Sequence, residues 1–163
     1  MNSPTLPPRS EAETDLRALI GADALLALTL SAAQTLATRP AHDPAARPNP
    51  RMMLTLLTFS YASGWFGSED VERAAGTDPT GRYISAREDI RAADVRRFRR
   101  ANRPWIEHCL TQVIAQVWLR ASRCPEFRDP AGAARHAVIL EAALRNARRR
   151  LSLAVQLDAA ESE

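Results

Sequence analysis

Apolar residues along this chain recur at intervals of three and four, the spacing that collects side chains on one face of an α-helix. From about Thr14 to Ala37 the recurring positions are Leu16, Leu19, Leu26, Leu30, Ala33 and Ala37, with Asp15 placed to favour a helix start. Arg39 to Pro50 holds Pro40, Pro44, Pro48 and Pro50, whose fixed φ and missing N–H groups forbid a continuous helix. Arg51 to Ser63 reads as a buried helix through Met53, Leu54, Leu57 and Tyr61, with Gly64 as its stop. Ser68 suits an N-cap before Glu69, Asp70 and Val71, opening a short helix that ends near Gly76. Asp78-Pro79-Thr80-Gly81 reads as a turn, and Arg82 to Ser85 as one further helical turn.

A helix starting near Asp94 places Val95, Phe98 and Asn102 on a docking face and Arg96, Arg99, Arg100 and Arg103 on the adjoining one. Pro104 stops it and suits the first position of the next helix. There Ile106, Cys109, Leu110, Val113 and Val117 form an apolar stripe that Ile114 and Trp118 widen. A last helix follows Asp129 and Pro130. Its Leu140, Leu144, Ala147, Leu151 and Ala154 alternate four and three apart, spacing that suits packing on another helix of the same or a second chain. No alternating strand pattern and no tandem repeat occurs. The expected fold is all-α and compact, with five to seven helices, a helix-turn-helix-like arginine-rich helix and long N- and C-terminal helices. The expected divisions are a disordered tail over 1–13, an N-terminal helix over 14–38, a proline-rich linker over 39–50, a helical domain over 51–122, and a C-terminal helix and tail over 123–163.

Charge placement adds a candidate surface. The 163 residues carry no lysine, and their net charge is only +3. Residues 82–103, however, hold eight arginines (Arg82, Arg87, Arg91, Arg96, Arg97, Arg99, Arg100 and Arg103) against Glu88, Asp89 and Asp94. Such a concentrated field suits phosphate; its plainer reading is a solvated helix face. Arg145, Arg148, Arg149 and Arg150 form a second basic cluster, read as a solvated face. Cys109 and Cys124 make neither a metal pattern nor a disulfide framework and are read as reduced. His108 beside Cys109 lacks an acid–base partner or second ligand pair at useful spacing. Trp65, Trp105 and Trp118 read as packing residues, although Gly64 and Gly67 put Trp65 in a loop where it could stack on single-stranded nucleic acid. The least polar stretch, Ala24 to Ala37, spans 14 residues, too few for a bilayer, and Glu11, Glu13 and Asp15 precede it where a signal peptide would be basic. These features predict a cytoplasmic protein with no membrane partner.

Several words of the sequence, in order, resemble a known family. Pro50-Arg51-Met52-Met53-Leu54 with Leu56-Leu57 is similar to "P-R-M-L-L-K-L-L", and Tyr61 with Gly64 to "Y-x-x-G". Ser68 through Glu72 resembles "S-S-R-x-I-E", and Asp78 with Arg82-Tyr83-Ile84 resembles "D-x-x-F-R-Y-L". Val95 with Phe98-Arg99-Arg100-Ala101-Asn102 resembles "I-x-x-F-R-R-x-N". Together, over Asn49 to Leu119, they resemble the N-terminal domain of bacterial insertion-sequence transposases of the InsH type. Where that family shows "P-D-H-x-T", this chain has Ile90-Arg91-Ala92-Ala93-Asp94, in which Asp94 can cap the helix.

The resemblance implies a transposase N-terminal-like domain over 51–122 that binds double-stranded DNA, with insertion-sequence ends as candidate targets. Arg91, Arg96, Arg97, Arg99, Arg100 and Arg103 are then the expected DNA-binding residues. The family continues into a ribonuclease-H-like nuclease that holds two metal ions with Asp, Asp and Glu. Here 41 residues follow Ser122, their aspartates are Asp129 and Asp158, and a helix stands where the first catalytic strand belongs. The expectation is a protein without catalytic residues, metal or cofactor. An alternative is an interaction protein that pairs with itself or with a full-length transposase as regulator or inhibitor.

Overall fold

The computed structural model describes residues 14–36, 48–121 and 130–160. The expected tail over 1–13, most of the linker, Cys124 and Asp129 lie outside them. The described residues form α-helices and no strand: α1 (Arg17–Ile20), α2 (Ala22–Leu36), α3 (Pro50–Ala62), α4 (Ser68–Thr77), α5 (Pro79–Ile84), α6 (Ala92–Ala121) and α7 (Pro130–Ala160). The all-α architecture is therefore as the periodicity predicts. One N-terminal helix was expected, but Gly21, at φ 86°, divides it into α1 and α2. That left-handed geometry costs glycine little.

Helix α3 begins where Asn49 accepts hydrogen bonds from the Arg51 and Met52 amides, with Pro50 in the first turn. All its residues from Met53 to Ala62 are buried, so α3 is the central rod of the core. Asp78 does not form an isolated turn. Its carboxylate accepts from the Thr80 and Gly81 amides and starts α5, with Pro79 in the first turn. A Cβ added to Gly81 would meet the Ala74 carbonyl oxygen at 2.3 Å, so α5 crosses α4 closely enough to require glycine there.

Helix α6 is the element against which α2, α3, α4 and α7 all pack. It begins at Ala92, earlier than expected. Asp94 therefore does not precede the helix but sits in its first turn, accepting from the Arg91 amide at 3.3 Å, while Glu72 of α4 accepts from the Ala92 amide at 2.7 Å. At Asn102 the backbone leaves helical geometry (φ −124°, ψ 20°), and Pro104 opens the second half. Ile106, Cys109, Leu110, Val113 and Val117 are buried there as the stripe requires. The stripe on α7 is used within the chain: Ala147, Leu151 and Ala154 are buried, and Leu140 packs against the same core.

Candidate nucleic-acid interface

The first half of α6 turns about 100° per residue, which brings Arg96, Arg100 and Arg103 onto one line. Arg100 and Arg103 are exposed and Arg96 is half-buried. None of the three forms an ion pair among the described residues. Beside them, Arg97 is exposed and paired with Asp94 at 2.5 Å. Arg91 sits at the helix entrance, 2.6 Å from Asp89 and 3.8 Å from Glu72. Five of the six expected residues thus reach solvent, and three of them present unneutralised charge in a row.

Arg99 does not belong to this surface. Only 5% of it is exposed. Its position four residues after Val95 continues the buried face, so the docking arc of α6 is wider than Val95, Phe98 and Asn102 imply; Phe98 itself is only half-buried against the core. Arg99 Nη1 donates to the Tyr61 hydroxyl at 3.2 Å and lies 3.5 Å from Ser68 Oγ, while Nη2 pairs with Asp158. Asp158 also accepts from the Ser68 hydroxyl at 2.7 Å and the Ser68 amide at 2.9 Å.

This arrangement also changes the expected role of Ser68. It is the first residue of α4 rather than its cap; Gly67 stands at the cap position without a side chain, and the carboxylate of Asp158 supplies the acceptor from α7. An anion at a helix N-terminus is favourably placed against its unpaired N–H groups. Burial pushes the Asp158 carboxyl up, but hydrogen bonds from Ser68 and Arg99 outweigh it and hold the group below the usual aspartate value. Burial likewise opposes charge on Arg99, yet Tyr61 and Asp158 more than offset it and the guanidinium pKa is raised. Burial raises the Tyr61 hydroxyl. The node is a buried structural ion pair in which both terminal guanidinium nitrogens are engaged and only Arg99 Nε lacks a partner, and Arg99 cannot serve phosphate without breaking it.

A second arginine expected at the surface is also inside. Arg150 is 0% exposed, in contrast to Arg145, Arg148 and Arg149. Its Nη1 donates to the Tyr61 carbonyl at 2.7 Å, its Nη2 to the Thr14 carbonyl at 2.8 Å, and its Nε to Asn146 at 2.7 Å. Burial lowers its pKa to about 10, with Asp15 acting in the opposite sense.

The other candidates settle into packing. Arg17 lies over the Trp65 ring at 4.1 Å, and Phe59 meets that ring edge-on at 6.3 Å, so Trp65 is not an open stacking platform. Burial pushes the Cys109 thiol up to about 12, which makes it a poor nucleophile. His108 is exposed, in a groove between α6 and α7. Among the described residues no cluster of three metal-ligating side chains occurs, and no helix is long and apolar enough to cross a membrane. Tyr83, which enters the motif resemblance but no charge or packing pattern, is exposed and shares a concavity with Arg82 and Arg87.

No family model, curated protein or solved structure matches the chain significantly.

Proposed function

We propose that this chain binds double-stranded DNA through the exposed arginines of α6, as a relative of the insertion-sequence transposase N-terminal domain. The observation that carries the reading is the line of Arg96, Arg100 and Arg103, without a carboxylate partner among the described residues. Neighbouring guanidinium groups repel one another, and a phosphate backbone supplies the counter-charge. Arg97 and Arg91 flank the line and can exchange their exposed partners for phosphates, because surface ion pairs contribute little. Insertion-sequence ends remain the candidate target that the motif resemblance offers.

The words of that resemblance also meet in space: Tyr61, Ser68 and Arg99 form one node, and Glu72 accepts from the first amide of α6. This convergence supports common architecture and assigns those residues to holding α6 rather than to touching DNA. The interaction-protein alternative draws on the long first and last helices; the α7 stripe is occupied by the chain's own core, while Leu19 of α1, Leu30 of α2, and Val138, Val155 and Leu157 of α7 remain exposed.

A salt titration of affinity for a mixed-sequence duplex tests the proposal. Affinity should fall steeply with salt, and removing Arg100 and Arg103 should reduce the slope of log K against log salt by about one per arginine. Binding that is absent, or equally tight in the double variant at low and high salt, removes it.

A further inference from the structure

Helix α5 ends at Ile84 and the chain turns sharply into the approach to α6. Ala86 and Arg87 both adopt left-handed geometry, at φ 51° and 65°, a conformation unfavourable for residues with a Cβ. The turn is nevertheless well held: the Ser85 amide donates to Gly81 at 2.9 Å and the Glu88 amide to the Ser85 carbonyl at 2.8 Å. Ile84 and Ile90 anchor its two sides in the core.

What this fixed turn presents is a concavity of about 540 Å³ lined by Pro79, Arg82, Tyr83, Ala86 and Arg87. The concavity is shallow and open to solvent, which suits one stacked base better than an enclosed small molecule. Tyr83 is 68% exposed, whereas the other aromatic rings whose burial is described are buried or half-buried. No acidic residue lines the concavity, and neither Arg82 nor Arg87 forms an ion pair among the described residues. An exposed aromatic ring that shares its concavity with two guanidinium groups is suited to a ligand that is itself a flat ring joined to phosphates.

We propose that this corner is a site for an unpaired nucleotide of DNA, its base stacked on Tyr83 and its flanking phosphates met by Arg82 and Arg87. The site rests on the duplex-binding reading of α6 and extends it to a strand that leaves the duplex. Chain geometry allows both contacts on one DNA molecule. Arg91 is four positions after Arg87 and five helical residues carry the chain on to Arg96, so the Cα atoms of Arg87 and Arg96 lie within about 22 Å of each other. Base-paired DNA stacks its own bases and offers none to Tyr83, so the corner discriminates frayed, nicked or overhanging ends from continuous duplex.

The test compares the full chain on a blunt mixed-sequence duplex and on the same duplex bearing a single-stranded overhang that contains 2-aminopurine. The overhang should tighten binding by about fivefold to a hundredfold, the range for one stacked base, and the 2-aminopurine fluorescence should change on binding. Tyr83→Ala should abolish both differences and Tyr83→Phe should keep them, with thermal melting confirming that each variant is folded. Equal affinity for the two DNAs, or an overhang advantage that survives Tyr83→Ala, overturns the corner site while leaving the α6 reading intact. Overhang binding without blunt-duplex binding instead removes the α6 reading and leaves the corner. Failure to bind either DNA removes both.

Discussion

Arg150 donates to the backbone carbonyl of Tyr61 at 2.7 Å, from a position 89 residues further along the chain. Tyr61 lies in the last turn of α3, where carbonyls lack partners within the helix. Two turns further along α7, Asp158 meets the first amide of α4. One helix therefore places a cation on the negative end of α3 and an anion on the positive end of α4, matching both backbone dipoles at a single corner.

Replacing Arg150 with methionine keeps some bulk but removes the donor to the Thr14 carbonyl and leaves the Tyr61 carbonyl with the longer contact from the Gly64 amide at 3.3 Å. Unfolding by denaturant should show a loss of about 1 to 3 kcal/mol, the cost of leaving a buried acceptor unpaired. Arg149→Met, on the exposed side of the same helix, should change stability by no more than about 0.5 kcal/mol.

Adjacent arginines on α6 should behave in opposite ways. Arg99→Ala leaves Asp158 buried without its guanidinium and should cost about 3 to 5 kcal/mol. Arg100→Ala should leave the melting temperature nearly unchanged and lower the salt slope of duplex binding by about one. Measuring melting and DNA binding on both variants separates the structural arginine from the proposed DNA contact. Equal effects on stability would contradict the assignment.

The depressed pKa of Asp158 makes its contribution acid-sensitive. The folded carboxyl ionises more readily than the unfolded one, whose usual value is about 3.9. Its stabilisation is therefore complete well above that value and disappears as pH falls through the lower folded pKa. Stability curves for the parent and Asp158→Asn should be far apart at neutral pH and approach one another in acid. A gap that stays constant down to the lowest pH would show that ionisation of Asp158 is immaterial.

Gly81→Ala should destabilise the protein by about 1 to 3 kcal/mol, because its new methyl group collides with the Ala74 carbonyl oxygen where α5 crosses α4. Gly76→Ala has open space around the added atom and serves as the matched control, read by thermal melting.

Helix content was legible in the sequence because Leu57, Val113, Leu151 and their neighbours repeat with one period and bury one face. The inner arginines were less legible because a guanidinium is assigned to water by default, whereas burial becomes affordable when carbonyls or a carboxylate surround it. A signal for Arg99 did exist: Val95, Arg99, Asn102 and Ile106 follow the same i, i+4, i+7, i+11 rule as any buried stripe. Arg150 likewise follows Ala143 and Ala147 by seven and three positions, both of them fully buried. Their partners Tyr61, Ser68 and Asp158 could not be found by local pattern, since each contact joins residues at least 31 positions apart. Asp78 was misread for a different reason: Asp-Pro opens both turns and helices, and the following residues decide between them.

The corner between α3 and α4 also bears on the order of events at the ribosome. Two of its polar partners, Arg150 and Asp158, lie on α7, so a nascent chain that has emerged only through α6 has most of its apolar core residues but an unfinished junction. Long-range closure of this kind delays folding until the distal partner arrives. A chain stopped at Ala121 should therefore retain helical circular dichroism yet be cleaved rapidly by protease between Tyr61 and Ser68, and adding the 130–160 segment as a separate peptide should slow that cleavage. If the shortened chain is already as resistant as the full one, the last helix decorates a finished fold; otherwise synthesis of the C-terminal turns is the step that commits the molecule to its native state.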